Sequence, residues 1–343
     1  NVLAATNAFV MNITDSTELV GLPEYVKQMG AETAAEKGLT GWAFTLDVPS
    51  YLPFMKYSQN EARRKEIYLA YATRGIGGEF DNTQVVKDIV DRRIKIANIL
   101  GYETYADYAL EDRMANDKDI VNDFLADLAK KSIAPAKKDV QQVYEFAKKN
   151  GFEGKELMPW DFTYWSERYQ ETEYSLNAEE LKPYLSLDNC INAVFDLANR
   201  LYGINITPVE GVPVYHPDVK VYDITDVDGT HLALLYADFF PRASKRGGAW
   251  MTSFREQYQK DGVEYRPFIS MVTNFTKPTA DAPSLITHDE FVTFLHEFGH
   301  VLHGVFAEGR YPSLTGTNVP RDFVELPSQI MENWGFEPEY LNS

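Results

Sequence analysis

The chain has one cysteine, Cys190, in 343 residues. A framework of internal disulfides is therefore excluded, and stability must come from a packed core. Basic residues are outnumbered, 33 Lys and Arg against 51 Asp and Glu, for a net charge of −18. Such a surface repels phosphate backbones, so no nucleic-acid partner is expected. No apolar run approaches the roughly 20 residues that span a bilayer, and no membrane segment is expected. Internal repeats and low-complexity tracts are absent. Lys245-Arg246-Gly247-Gly248 is basic and glycine-rich but lacks the P-loop spacing, and reads as a basic flexible turn.

What is present in quantity is apolar. A hydrophobic content of 44% suffices for a large core, and the length suits about two domains. Residues 1–205 read as a predominantly helical region. Val86, Ile89, Val90, Ile96, Ala97 and Leu100 recur on one helix face, with Gly101 as its stop. A longer pattern runs from Asp119 to Asn150, where Pro135 is expected to kink or interrupt it. A short helix is expected between them, over Tyr105 to Met114. The aromatics Trp160, Phe162, Tyr164, Trp165, Tyr169 and Tyr174 follow on further helix and read as core packing. The helix from Leu187 should stop at Gly203.

From residue 206 the period shortens. Val219 to Ile224 alternates, Asp226-Val227-Asp228-Gly229 turns, and His231 to Tyr236 alternates again, the pattern of a β-hairpin. Pro267 to Phe275 supplies another strand, of which Ile269 to Asn274 is expected to form an exposed edge open to an extended ligand. His216 and His231 lie far from the other histidines in sequence and read as structural or surface groups. The expected fold is mainly α with a small β-sheet, divided into 1–205 and 206–343.

The most specific segment is His296-Glu297-Phe298-Gly299-His300. The spacing H-E-x-x-H puts two imidazoles on one helix face, about 40° and 6 Å apart, with a carboxylate beside them. Thr287 and Glu290 form a capping-box signature, and Phe291, Phe294, Leu295, Phe298, Leu302 and Val305 continue at helical spacing. A catalytic zinc needs three protein ligands and an open position. Glu325 is the expected third ligand. Its neighbours are apolar, and binding a cation would offset the cost of burying its charge. Asp322 and Glu332 are candidates to hydrogen-bond a ligating imidazole, if their segment is helical. His303 shares the face of His296 and His300 and is a candidate for a supporting or substrate-facing role. Glu297 is the expected general base.

The run from Thr287 through Trp334 resembles the thimet-oligopeptidase family of zinc metallopeptidases. Leu302-His303-Gly304, Arg310-Tyr311 and Leu314-Thr315-Gly316-Thr317-Asn318-Val319-Pro320-Arg321-Asp322-Phe323-Val324-Glu325 resemble in particular its bacterial peptidyl-dipeptidase branch. Phe44 to Tyr51, His216 to Tyr222 and Lys245 to Trp250 are similar to family segments in the family's order. The resemblance implies a zincin-like architecture, with the H-E-x-x-H helix beside the sheet. It assigns His296, His300 and Glu325 to one zinc ion (Zn2+) and Glu297 to catalysis. It implies hydrolysis of short peptides, with release of C-terminal dipeptides first. Internal cleavage is an alternative, and so is a fragment that binds zinc or peptide without cutting. The family is longer at both ends, so the chain reads as the middle of an enzyme, its partners being short peptides and the N- and C-terminal parts of its own chain. A cytoplasmic location is expected, with the periplasm as the alternative.

Overall fold

A computed structural model describes residues 1–175, 180–278 and 283–342. Residues 176–179, inside the stretch expected to be helical, lie outside the described set. The chain divides into two compact units, Asn1–Asn177 and Ala178–Ser343. Among the described residues no helix is long and apolar enough to cross a membrane.

The first unit holds α1 (Val2–Ala8), β1 (Met11–Ile13), α2 (Glu24–Glu36), β2 (Trp42–Phe44), α3 (Val48–Tyr57), α4 (Glu61–Ala72), α5 (Thr83–Ile99), α6 (Tyr105–Leu110), α7 (Lys118–Lys149) and α8 (Pro159–Tyr174). β1 and β2 pair antiparallel, Met11 opposite Phe44. Their apolar faces join Leu19, Val26, Phe54, Met55 and Ile67 in one core. The aromatics of α8 divide. Trp160 and Tyr164 are buried, and Trp165 stacks edge-on with Phe146 and Phe152, whereas Phe162 and Tyr174 are exposed. Helix α7 runs unbroken through Pro135, contrary to an interruption there. Only Ala97 of α5, and Val143 and Ala147 of α7, are buried.

The second unit contains α9 (Leu187–Tyr202), β3 (Asn205–Pro208), β4 (Lys220–Thr225), β5 (His231–Asp238), β6 (Trp250–Arg255), β7 (Tyr258–Lys260), β8 (Val263–Tyr265), β9 (Phe268–Val272), α10 (His288–Val305), α11 (Leu326–Glu332) and α12 (Pro338–Leu341). Gly203 ends α9 at φ 77°, a left-handed conformation that costs glycine little. Leu187, Cys190, Ile191, Val194 and Leu197 of α9 join the core of this second unit.

Five strands form a sheet in the order β3-β4-β5-β9-β6. The β4–β5 hairpin forms as the alternation predicts, and Gly229 N–H donates to Asp226 C=O across the turn. β9 pairs parallel with β5 and antiparallel with β6. The strand read as an exposed edge is therefore internal. Residues 250–255 fold back along β9 and take the outer position themselves. β9 accordingly buries Ile269, Ser270, Met271 and Val272, a near-continuous apolar run typical of a strand covered on both faces.

Helix α10 lies on this side of the sheet. A Cβ added at Gly304 would stand 2.8 Å from Ile269 Cδ1 of β9 and from Met251 Cε of β6, so the glycine permits close approach of helix to strands. Arg266 fixes the end of α10. Its guanidinium donates to Val305 C=O at 2.6 Å and Ala307 C=O at 3.1 Å, carbonyls left over by the last turn.

Candidate metal centre

Helix α10 begins with the capping box its sequence predicts. Glu290 N–H donates to Thr287 Oγ1 at 3.2 Å, and Thr287 N–H to Glu290 Oε2 at 2.8 Å. The helix then carries His296 and His300 with ring centroids 4.9 Å apart. The third group comes from beyond the helix. Pro327 falls in the first turn of α11, where no amide is needed, so the helix starts at Leu326 and Glu325 stands at its boundary.

Glu325 Oε2 lies 3.2 Å from His296 Nε2 and 3.1 Å from His300 Nε2. Ligand atoms of the three residues all fall within 4.8 Å of one another, a cluster that can hold a metal ion. Bonds of about 2.0–2.1 Å in a tetrahedral zinc site put neighbouring donors roughly 3.3–3.4 Å apart. The imidazole–carboxylate separations here lie within a few tenths of an ångström of that spacing. Two imidazoles and one carboxylate are also a donor set that zinc favours.

The surroundings orient these groups. Glu332 Oε1 is 2.6 Å from His296 Nδ1. That bond holds the proton on Nδ1 and leaves the Nε2 lone pair towards the cluster. Ser328 Oγ donates to Glu325 Oε2 at 2.9 Å. His300 Nδ1 is buried and lacks a hydrogen-bond partner among the described residues. Burial, the largest influence, lowers the pKa of His300 from the ordinary imidazole value and favours the neutral ring that a metal requires. Burial pushes Glu325 up, but the Ser328 hydrogen bond and the neighbouring imidazoles outweigh it, and the net shift is downward.

Glu297 sits about 100° around the helix from His296. It is 5% exposed, and its Oε2 has no partner among the described residues. Burial raises its pKa to about 7, with the charge of Glu325 adding and His296 opposing.

The structure thus brings His296, His300 and Glu325 together, with Glu332 on His296 and Glu297 beside them. His303 lies one turn further along α10 and lines a separate cavity. Asp322 is exposed in the turn ahead of α11 and outside the three-residue cluster. The helix on which its candidacy depended starts only at Leu326.

Two features escaped the sequence reading. Ser328, three residues after Glu325, was a legible signal for a supporting hydroxyl. Lys245 was not: it is buried, and its ammonium donates to Asp238 Oδ1 and Asp238 C=O at 2.9 Å and to Phe240 C=O at 2.8 Å. Arg242 grips the same Asp238 carboxylate with two bonds of 2.9 Å. The basic turn is therefore an anchored loop, held from the end of β5. Lys245 and Asp238 lie seven residues apart with an irregular segment between, so no periodic pattern announces the pair.

The profile of peptidase family M3 matches residues 54–343. The chain belongs to peptidase family M3. The matched stretch of this M3 chain includes all of the clustered residues. The chain is 40% identical to oligopeptidase A of Escherichia coli over 99% of its own length and 51% of that protein's. It is 40% identical to the probable cytosolic oligopeptidase A of Arabidopsis thaliana, over 100% of this chain and 51% of that one. Dipeptidyl carboxypeptidase of Escherichia coli is 37% identical, over 98% of this chain and 50% of that protein. The chain spans about half the length of these relatives.

Proposed function

We propose that this chain carries the zinc centre of a metallopeptidase that hydrolyses short peptides. One observation carries the reading. Glu325, from outside the H-E-x-x-H helix, places one oxygen 3.2 and 3.1 Å from the two imidazoles, beside the buried Glu297 carboxylate, whose Oε2 has no hydrogen-bond partner among the described residues. His296, His300 and Glu325 would hold the zinc. When bound, zinc acidifies its water and polarises the scissile carbonyl.

The residues of the chain do the rest. Glu297 takes the proton of the attacking water and returns it to the leaving amine. Its apolar surroundings raise its affinity for that proton into the range where both steps run near neutrality. Glu332 keeps His296 in one tautomer and one orientation. The outer strand β6, packed beside α10, offers to an extended peptide, through main-chain hydrogen bonds, the edge that no strand pairs among the described residues.

The reading that the family resemblance implies is release of C-terminal dipeptides. A second reading, internal cleavage, is favoured by the two relatives named oligopeptidase A at 40% identity. Products from one peptide with a free and with an amidated C-terminus separate the two. By analogy with the plant relative we assign the protein to the cytosol. Fractionation of cells that places it in the periplasm refutes that assignment.

The test of the central reading is Glu297→Gln in the full-length protein. We expect one zinc per chain and turnover lowered by at least 100-fold. Normal hydrolysis by this variant overturns the mechanism.

A further inference from the structure

Glu325 stands at the boundary of α11, where its carboxylate has two destinations. One is its own helix. A residue at such a boundary commonly turns its side chain back onto the amide of the second or third helical residue. The other is the pair of imidazoles. Glu325 takes the second, and makes no capping hydrogen bond to α11. Its side chain is 45% exposed, so packing alone does not hold it there.

Nor do the neutral rings supply a lasting bond. The Glu332 contact leaves a lone pair on His296 Nε2, and that atom lies 3.2 Å from Glu325 Oε2. Two electron-rich atoms then face each other until a cation comes between them. His300 Nε2, 3.1 Å away, can offer a proton only while no metal is bound, because a ligating nitrogen needs its lone pair.

Ser328 supplies the bond that persists. Its Oγ is 2.9 Å from Glu325 Oε2 and 3.0 Å from Glu325 C=O. One hydroxyl carries one proton, and the carboxylate is the stronger acceptor of the two. Ser328 is fully buried, so solvent does not stand in for that hydroxyl. Helix α10 backs the residue: a Cβ added at Gly299 would stand 2.6 Å from Ser328 Cα.

Pro327 removes the rival partner. Leu326, Pro327 and Ser328 are the first three residues of α11. The second of them has no N–H, which leaves only the Ser328 amide to draw the carboxylate back. The chain thus withholds an amide at residue 327 and offers a hydroxyl at residue 328.

We propose that Ser328 and Pro327 are positioning residues for the third metal ligand: the hydroxyl holds the Glu325 carboxylate at the imidazoles, and the proline denies it a competing bond on its own helix. The proposal rests on the zinc reading above.

The test is the zinc affinity of the full-length protein, read by competition with a chromophoric chelator, beside thermal unfolding of the metal-free protein. Ser328→Ala should lower affinity roughly 10- to 100-fold. Pro327→Ala, which restores the amide, should lower it roughly 3- to 10-fold. Ser328→Thr keeps the hydroxyl and should stay within about 3-fold of native protein. Metal-free unfolding should shift by less than about 4 °C in each variant, because the hydroxyl acts through the ligand. Cobalt(II) in place of zinc gives a spectroscopic readout, with the visible bands of a four-coordinate site weakened in Ser328→Ala. Pro327→Ala carries the test if the Ser328 variants fail to fold. Native affinity in both Ser328→Ala and Pro327→Ala overturns the positioning role and leaves the zinc reading intact. A fall in affinity that only follows a fall in metal-free stability assigns both residues to the fold, and overturns it as well. Native protein that binds no zinc overturns both.

Discussion

Gly299 of α10 lies against Pro327 so closely that an added Cβ would stand 2.6 Å from the Pro327 carbonyl oxygen. Ser328 Cα would be equally close, at 2.6 Å. Backbone, not a flexible side chain, occupies that space. The glycine between the two histidines thus sets how near α11 can come, and Glu325 hangs at the start of α11. One small residue links helix packing to the reach of the third ligand. Gly299→Ala should force the helices apart, lower zinc affinity and destabilise the protein by about 1–3 kcal/mol. Zinc titration and thermal unfolding check both effects. Unchanged affinity shows that Glu325 does not depend on this contact.

Glu332 acts through His296, and its Oε1 is 2.6 Å from Nδ1. Glu332→Gln keeps the shape but weakens the acceptor and permits the wrong tautomer. Zinc affinity should fall roughly 10- to 100-fold. Competition with a chromophoric chelator measures it. Asp322→Asn, outside the cluster, serves as the comparison and should change affinity less than about 3-fold.

Asp238 anchors the loop ahead of β6. It is 1% exposed and meets Arg242, Lys245 and the Tyr215 hydroxyl. Burial pushes this carboxyl up, but the two cations outweigh burial and its pKa is lowered overall. For Lys245 burial wins, and its pKa falls to about 8 despite the carboxylate. The fall for Asp238 is what a mutually stabilised pair would show, whereas the fall for Lys245 is opposite to it. The geometry, with three bonds to the ammonium, argues for the charged pair at neutral pH. Asp238→Asn leaves two cations under-compensated and should cost about 3–5 kcal/mol. Denaturant unfolding checks it. A loss below about 1 kcal/mol would mean that the loop is held by its backbone contacts alone.

Cys190 is 3% exposed in the core of the second unit. Burial raises its thiol pKa from 9.0 to about 12. The folded state thus holds the proton more tightly than the unfolded chain. Its contribution is complete below pH 9.0 and is lost as pH rises towards 12. The full loss is on the order of 4 kcal/mol. Native protein should react slowly with a thiol reagent at pH 8, and the thiol should become reactive on unfolding. The stability gap between native protein and Cys190→Ala should narrow between pH 9.0 and 12. A gap constant with pH contradicts the assignment.

The cluster was legible because most of its residues are local in sequence. His296, Glu297 and His300 fall on one helix whose cap and apolar spacing are both written out. Glu325 was found from a carboxylate set among apolar neighbours, and Glu332 from its spacing to that residue. The sheet was harder. Alternation placed β4 and β5, but which strand lies outermost depends on residues 250–255 folding back, a non-local pairing that alternation does not encode. Asp322 stands ahead of the helix start that Pro327 sets, so helical spacing from Glu325 could not place it. Lys245 failed because burial of a lysine depends on a partner that only the tertiary fold supplies.

Zinc K-edge absorption spectroscopy of the protein loaded with one equivalent of zinc, alongside Glu325→Ala, tests the centre most directly. Four light-atom neighbours at about 2.0–2.1 Å are predicted, with an imidazole pattern of two rings in native protein and weakened binding in the variant. A spectrum and an affinity unaffected by Glu325→Ala would contradict the account.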